Sequence, residues 1–356
     1  MKKTAVVILN YNGRKFLNDF LPGVIEKSVK DADVWVADNC STDDSVDLLK
    51  NKFPNVSLIL NKANTGYAGG YNEALNTIRP KAYKYYILLN SDIEVSDGWV
   101  KPLEGLMQAN DDVAACQPKI LSFYENAKFE YAGASGGFID KYGYPFCRGR
   151  LFQSLETDRG QYDDEREVFW ASGACMMIRS DVFHDHDGFD ADFFAHMEEI
   201  DLCWRMKNSA YRIMVCPSST VFHVGGGTLP KKSSRKTYLN FRNNFSLLYK
   251  NLPQDELLKV FILRLFLDGV AGIKFLFQAG FSDTYAVIKA HFYFYRNLGK
   301  LKQKRKKLKQ RHLSMIYRGN IVFEHYILRK RRFDELKDDS LSPHSGRLNA
   351  VEDGMQ

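Results

Sequence analysis

MKKTAVVILNYNG, residues 1–13, is the stretch on which the fold turns. Two lysines ahead of an apolar run have the outline of a signal peptide, but VVIL passes straight into Asn10, Tyr11 and Asn12. That is too short for the apolar segment of a leader. The run reads instead as a first buried strand, which predicts a cytoplasmic protein. Runs of the same kind recur at AVVIL (5–9), VWVA (34–37), VSLIL (56–60) and YYILL (85–89). Between them lie stretches of helical spacing, RKFLNDFLPGVIEKSV and STDDSVDLLKNKF, the second with Ser41 as its expected N-cap. This alternation predicts an α/β fold, a mostly parallel Rossmann-like sheet with helices on both faces.

In such sheets ligands bind beyond the carboxyl ends of the strands. Every one of those ends is polar here: Asn10-Tyr11-Asn12, Asp38-Asn39, Asn61 followed by Asn64-Thr65-Gly66, and Asn90-Ser91-Asp92. Each alone is ordinary turn chemistry. Four ends able to converge on one crevice point to a ligand site.

Three groups of residues are able to do chemistry there. Asp92 closes an apolar strand and is placed to bind Mg²⁺ or Mn²⁺, hard ions that keep waters and substrate oxygens and need only one or two protein carboxylates. Glu198-Glu199-x-Asp201 opens a helix, with Arg205 one turn after Asp201; acids there also complement the helix dipole and form plain ion pairs. They follow the bulky FDADFFAHM, and a carboxylate against such a wall has its pKa raised toward that of a general base. His223 ends TVFHV just before Gly225-Gly226-Gly227, where imidazole is able to bind Mn²⁺ and glycine admits phosphate. The segment FEYAGASGGFIDKYGYPFCRGR is irregular and reads as loop or short antiparallel strands.

VVILNYNG, VADNCSTDDS, NTGYAGGYN, LLNSDIEV, WASGACMMIR, FFAHMEEIDLCWRM and VFHVGGGT, in that order, resemble a family 2 inverting glycosyltransferase of the GT-A fold, similar to bacterial rhamnosyltransferases. The resemblance spans roughly residues 4–250. It implies that Asp38 accepts a hydrogen bond from a uracil or thymine ring flanked by Asn10 and Tyr11. Asn64 and Gly66 would line the donor site, with Gly69 and Gly70 admitting a helix start. Asp92 would be the metal-binding acid of a D-x-D motif whose first Asp is here Asn90, leaving Asp92 and His223 to hold the ion. Glu199 falls where relatives carry the Asp that acts as base; its extra methylene leaves the choice between Glu199 and Glu198 open. Trp170, Ala171, Ser172 and Gly173, with Asp201, would shape the acceptor side.

The last third is of another character. Residues 257–281 are apolar but interrupted by Lys259, Arg264, Asp268 and Lys274, which fall on one half of a helix. Such a helix lies in a membrane interface or packs on the catalytic domain. KLKQKRKKLKQRH (300–312) carries eight Lys or Arg and no acid, which favours anionic lipid. The expected division is a catalytic domain at 1–250, amphipathic and basic membrane-associating helices at 251–333, and a disordered tail at 334–356. A dTDP- or UDP-sugar donor, a lipid-linked saccharide acceptor and a peripheral position on the inner face of the cell membrane follow as expectations, for a step in cell-surface polysaccharide synthesis.

In the whole chain of 356 residues, 45% are hydrophobic, enough for a large core, and the formal charge is +7. The six cysteines are scattered, with no C-x-x-C pair to mark a zinc or redox site. No nucleic-acid module is recognisable, and no nucleic-acid partner is expected. A sugar nucleotidyltransferase would need a richer glycine loop than Gly13 offers after the first strand. A fold that has lost its activity and serves as a scaffold is the other alternative.

Overall fold

The computed structural model describes residues 2–225, 233–278, 280–336 and 341. The four apolar runs are β1 (Thr4–Asn10), β2 (Ala32–Asp38), β3 (Ser57–Leu60) and β4 (Tyr85–Asn90). They are joined through α1 (Arg14–Ser28), α2 (Ser45–Lys52) and α3 (Gly66–Ile78). All four strands run parallel in the order β3-β2-β1-β4. Parallel neighbours need crossovers, and the crossover helices cover the sheet. α1 buries Leu17, Leu21 and Val24, and α3 buries Ala68, Tyr71, Ala74, Leu75 and Ile78.

α2 starts after Asp44, not at Ser41. The Ser41 hydroxyl donates to Asp38 Oδ1 at 2.6 Å and accepts the Asn12 backbone N–H at 2.9 Å. A carboxylate at the end of β2 has captured the hydroxyl that was expected to cap the helix.

Beyond β4 the sheet becomes mixed. β5 (Ile93–Val95), α4 (Val100–Ala109) and β6 (Val113–Ser122) follow Asp92. The Gly- and Tyr-rich segment then forms short strands, β7 (Gly137–Asp140), β8 (Pro145–Cys147), β9 (Arg150–Leu151) and β10 (Ser154–Leu155), antiparallel in a small second sheet. After β11 (Arg166–Val168) comes β12 (Cys175–Arg179), which lies antiparallel between β4 and β6. α5 (Ser180–Asp185) and α6 (Glu198–Asn208) precede β13 (Arg212–His223), parallel to β6 and antiparallel to β5 and β11. The nine-stranded sheet is therefore parallel through its first four strands and mixed thereafter. All six cysteines are free, and only Cys40 is exposed.

α7 (Ser234–Asn251) leads to an antiparallel pair, α8 (Gln254–Gln278) and α9 (Phe281–Arg296). No helix among the described residues is long and apolar enough to cross a membrane. α8 packs inward through Leu257 and Val260 at its start and through Arg264 and Asp268 further along, while Lys259 and Lys274 are exposed. Arg264 and Asp268, 2% and 0% exposed, pair with each other at 3.1 Å. Arg264 also donates to Asn244 and to the Tyr142 carbonyl, and His291 of α9 meets Asp268. Leu258, Ile262, Phe266, Ile273 and Phe277 face outward, 60–83% exposed. The outward face of the helix is thus far more apolar than that of an ordinary soluble amphipathic helix.

α10 (Leu298–Lys306) carries the basic stretch, and part of its charge is engaged internally. Lys300 and Lys304 pair with Asp190 and Asp192, and Arg305 donates to the Tyr249 and Leu252 carbonyls past the end of α7. Lys302, Lys306, Lys307, Lys309 and Arg311 are exposed with no ion pair among the described residues.

The chain then returns, against the expected division. β14 (Ile316–Tyr317) adds a fifth strand beside β7, and α11 (Ile321–Tyr326) follows. Phe333 enters the second core against Phe138, Phe146 and Tyr162, with ring centroids 5.1–6.2 Å apart. Leu336 and Leu341 are buried too. Residues 313–336 thus belong to the catalytic body, neither to the membrane-associating helices expected to 333 nor to a tail starting at 334. Met315, Tyr317, Ile321 and Phe333 supply the apolar surface that draws them back. The remainder of 334–356 lies outside the described residues.

Candidate active site

The ends of β1, β2 and β3 are knitted into one crevice floor. Asn10, fully buried, donates to Asp38 Oδ1 at 2.9 Å, and Asp38 also accepts the Ser41 backbone N–H at 2.8 Å. Asn10 Oδ1 is buried without a partner. Tyr11 is half-buried at the rim. Asn64 Oδ1 accepts the Gly66 N–H at 3.0 Å and the Asn39 amide at 3.1 Å, turning the chain into α3. Gly66 has φ +75°, and a Cβ there would stand 2.3 Å from the Phe194 carbonyl, so only glycine closes this turn. Gly70 lies under Asn39 and Gly69 against Thr65. These two glycines let the start of α3 pack closely on the loop.

Across β4, Asn90 is tied by its backbone N–H to the Ala174 carbonyl, leaving its half-buried side chain at the crevice. Asp92, 6% exposed, has Oδ1 3.2 Å from His223 Nε2, because β5 and β13 pair in register just beyond it. Glu130 Oε2 stands 3.1 Å from the other ring nitrogen, an ion pair with no aligned hydrogen bond. Burial would lower the His223 pKa, but the hydrogen bond to Asp92 and the closeness of both carboxylates outweigh it and raise it to about 10. The same imidazole holds Asp92 and Glu130 below the usual carboxylate range despite their burial. Gly225 is described; Gly226 and Gly227 lie outside the described residues.

The third component is the turn into α6. Phe194, His196 and Met197 all have positive φ, +64°, +71° and +71°. For non-glycine residues this costs on the order of 1 kcal/mol or more each. α7 holds the turn in place: Arg242 donates to the Asp192 and Phe193 carbonyls, and Asn243 to those of Phe193, Ala195 and His196, at 2.7–2.9 Å. The turn presents Glu198 and Glu199 at the helix start, each with a buried Oε2 that has no partner. Burial, and then the neighbouring Glu199 charge, raise Glu198 well above the carboxylate range. Burial raises Glu199 to about 7 against backbone hydrogen bonds that lower it. Glu198 is 4% exposed and Glu199 half-buried, so Glu199 keeps the accessible edge. Both charges reach Tyr67, whose hydroxyl donates to the Gly173 carbonyl at 2.6 Å. Nearby His196 is held neutral, lowered to about 4 by burial and by Lys236.

Comparison with known proteins decides which chemistry this crevice belongs to. The family model described as Glycosyl transferase family 2 matches residues 5–187. The chain belongs to glycosyl transferase family 2. An N-acetylglucosaminyl-diphospho-decaprenol L-rhamnosyltransferase of Mycobacterium tuberculosis is 26% identical over 230 residues, covering 61% of this chain and 75% of that protein. A low-salt glycan biosynthesis hexosyltransferase, Agl10 of Haloferax volcanii, is 25% identical over 288 residues, covering 77% and 85%. Among solved structures, GalNAc-T7 with UDP, GalNAc and Mn²⁺ superposes with a TM-score of 0.53 at 15% identity, covering 71% of this chain. The chain spans about half, 49%, of that structure. The Pyrobaculum calidifontis mannosyltransferase PcManGT, in complex with GDP-Man and Mn²⁺, gives 0.50 at 12% identity, covering 83% and 75%. The likeness confirms the GT-A fold.

In this family 2 glycosyltransferase, three residues expected on the acceptor side have structural places. Trp170 is 4% exposed between the two sheets, donating to the Phe138 carbonyl at 2.8 Å. Ser172 is engaged by Gln117 and by the Ala132 carbonyl, and neighbouring Ala171 is fully buried. Asp201 is fully buried, paired with Arg205 and Lys250 at 2.9 and 2.8 Å and accepting from Asn251, so its oxygens are saturated. Gly173, under Tyr67, remains by the carboxylates. Glu130 was missed by sequence reasoning, since only the return of β6 into 128–130 brings it beside His223.

The Asp92 end would take a divalent cation once the ion displaces the Nε2 proton that His223 shares with Asp92, because only neutral imidazole is a ligand. Neighbouring ligands on an octahedral ion, with bonds of about 2.1 Å, stand about 3.0 Å apart, close to the 3.2 Å between Asp92 Oδ1 and His223 Nε2. Glu130 on the far ring nitrogen is placed to orient the imidazole, as carboxylates behind metal-binding histidines do. Among the described residues no three His, Cys, Asp or Glu side chains gather around one point. Two protein ligands leave the other positions to water and substrate oxygens.

Proposed function

We propose that the protein is an inverting, metal-dependent glycosyltransferase that moves a hexose such as rhamnose from a dTDP- or UDP-sugar to a hydroxyl of a lipid-linked saccharide. The step belongs to cell-surface polysaccharide assembly, carried out at the inner face of the membrane. The observation that carries the reading is the Glu198–Glu199 pair, adjacent carboxyls each with a buried Oε2 that has no hydrogen-bond partner.

Asp38 and the Asn10–Tyr11 loop are the base and ribose end, and the half-buried Asn90 is placed for a ribose hydroxyl. Asp92 and His223 would hold Mg²⁺ or Mn²⁺, which when bound neutralises charge on the diphosphate. Burial raises Glu198 well above the carboxylate range, which favours its protonated form beside Glu199. Glu199, near 7, takes the proton of the acceptor hydroxyl. As that oxygen bonds to the anomeric carbon, the bond from that carbon to the diphosphate oxygen breaks and its electron pair leaves with the nucleoside diphosphate. The incoming and leaving groups sit on opposite faces of the carbon, so configuration inverts and no enzyme nucleophile is used.

Membrane association is supported by the outward apolar face of α8 and the five unpaired cations at 302–311. Each cation near an anionic surface contributes roughly 1 kcal/mol. The lipid-linked acceptor is supported by the activity for which the mycobacterial relative is named. A test is transfer from dTDP-rhamnose and UDP-hexoses to polyprenyl-diphosphate saccharides in vesicles. Transfer with inversion supports the reading, and binding of donors without transfer or hydrolysis would leave a scaffold instead.

A further inference from the structure

Residues 257–333 hold eighteen Lys or Arg and three acids, Asp268, Asp283 and Glu324, although the whole chain carries only +7. All three acids are engaged. Asp268 is taken by Arg264 and His291, Asp283 by Thr237, and Glu324 by Lys330 and Tyr317. The outward surface of this region is thus cationic and apolar.

That surface does not end with α8 and α9. Phe323, Tyr326, Ile327 and Leu328 of α11 and the turn after it are 45–64% exposed, and Arg329 beside them is exposed with no ion pair among the described residues. The turn is continuous with α8, since Lys274 stands 4.1 Å from the centre of the Tyr326 ring. On its other side Tyr326 lies 5.2 Å from the ring of Phe152, two residues from Arg150, whose guanidinium stands over the Tyr131 ring. Tyr131 is 40% exposed, has Arg150 4.2 Å from its ring, and is joined directly to Glu130, which contacts His223. The apolar surface therefore runs from α8 across α11 to the wall of the crevice.

We propose that Phe323–Leu328 is a second bilayer contact, distinct from the α8–α9 hairpin, and that the two together set the crevice mouth beside Tyr131 against an anionic membrane. This rests on the membrane reading above and adds where the bilayer sits. Its occupant is a lipid surface because the exposed side chains are apolar and cationic and the three acids of residues 257–333 are engaged within the protein, the complement of anionic headgroups over acyl chains. A lipid-linked acceptor would then present its sugar at the headgroup level, next to the wall that Glu130 and Tyr131 form.

The test places an environment-sensitive NBD label on the full chain. Cys40 is the exposed cysteine, so a Cys40→Ser background with Phe266→Cys, Phe323→Cys or Leu60→Cys gives labels on α8, on α11 and on the far sheet edge. With phosphatidylcholine vesicles containing phosphatidylglycerol, the labels at 266 and 323 are expected to brighten several-fold, shift to the blue and be quenched by spin-labelled lipid. The label at 60 should not respond. A response at 266 but not at 323 overturns the second contact and leaves membrane binding standing. Silence at both positions overturns both. A response at 323 that grows with protein concentration without vesicles assigns the surface to a second copy and overturns the lipid proposal.

Discussion

Two carboxyl groups side by side in a buried turn cannot both carry charge cheaply, and Glu198 and Glu199 divide the problem unequally. Glu198 is buried deeper, which favours its protonated form; Glu199 titrates near 7. Glu199→Gln is expected to lower turnover by about 10²- to 10⁴-fold with nucleotide binding kept, read by steady-state rates beside calorimetry. In the wild type kcat/KM should rise with pH and level off above about 7. Stability moves the other way. The Glu199 pKa is raised on folding from 4.5 to about 7, so in that window the native state holds a proton that the unfolded chain has released. Stability contributed by this group is complete below 4.5 and lost as pH rises through 7. Glu199→Gln should therefore gain on the wild type, by on the order of 2 kcal/mol, in urea titrations above pH 7 relative to those at low pH. Sequence reading found this pair because two acids after FDADFFAHM announce burial. It did not foresee the internal contacts of Trp170, Ser172 and Asp201, because a motif shows which residues are neighbours in the chain, not which way each side chain faces. Glu130 was invisible because its partner, His223, is distant in sequence.

At the scale of elements, α6 is fixed from beneath by α7. Lys250 spans Asp190 and Asp201, and Arg205 reaches Asp201 and the Gly188 carbonyl. Asp201→Asn leaves Arg205 and Lys250 short of charge in a buried site. It is expected to cost about 3–5 kcal/mol, measured by chemical denaturation, and to lower activity only through that loss. An acceptor-binding role would instead raise KM in a variant of unchanged stability. The parallel half of the sheet was legible, since VVIL, VWVA, SLIL and YILL are continuous apolar runs with helical spacing between them. The start of α2 was not, because Ser41 obeys the capping rule locally but is claimed by Asp38 in the folded state. β12 and β13 were not placed as antiparallel and parallel, since apolar runs carry no sign of strand direction.

For the molecule as a whole, the carboxyl-terminal third is two things at once. Its α8–α9 face is apolar and outward, and its last described residues complete the second sheet. Phe333→Ala should cost about 3–5 kcal/mol, as for a buried phenylalanine, visible as a shift in the denaturation midpoint. A dispensable tail would show none. Replacing Ile262, Phe266 and Ile273 with Ser should abolish sedimentation with anionic vesicles while leaving the melting temperature near that of the wild type, because these side chains are 60–67% exposed. The sequence marked the charges of α8 on one half of the helix but not their direction: Arg264 and Asp268 pair in the interior, while Lys259 and Lys274 face out. The claim on which the account rests is a metal-assisted nucleotide-sugar site built on Asp92. Calorimetry of UDP and dTDP binding, with and without Mn²⁺, to the wild type and Asp92→Ala tests it most directly. Binding of at least one nucleotide that requires the ion and disappears in Asp92→Ala is the predicted result; binding indifferent to both ion and substitution, or none at all, would contradict it.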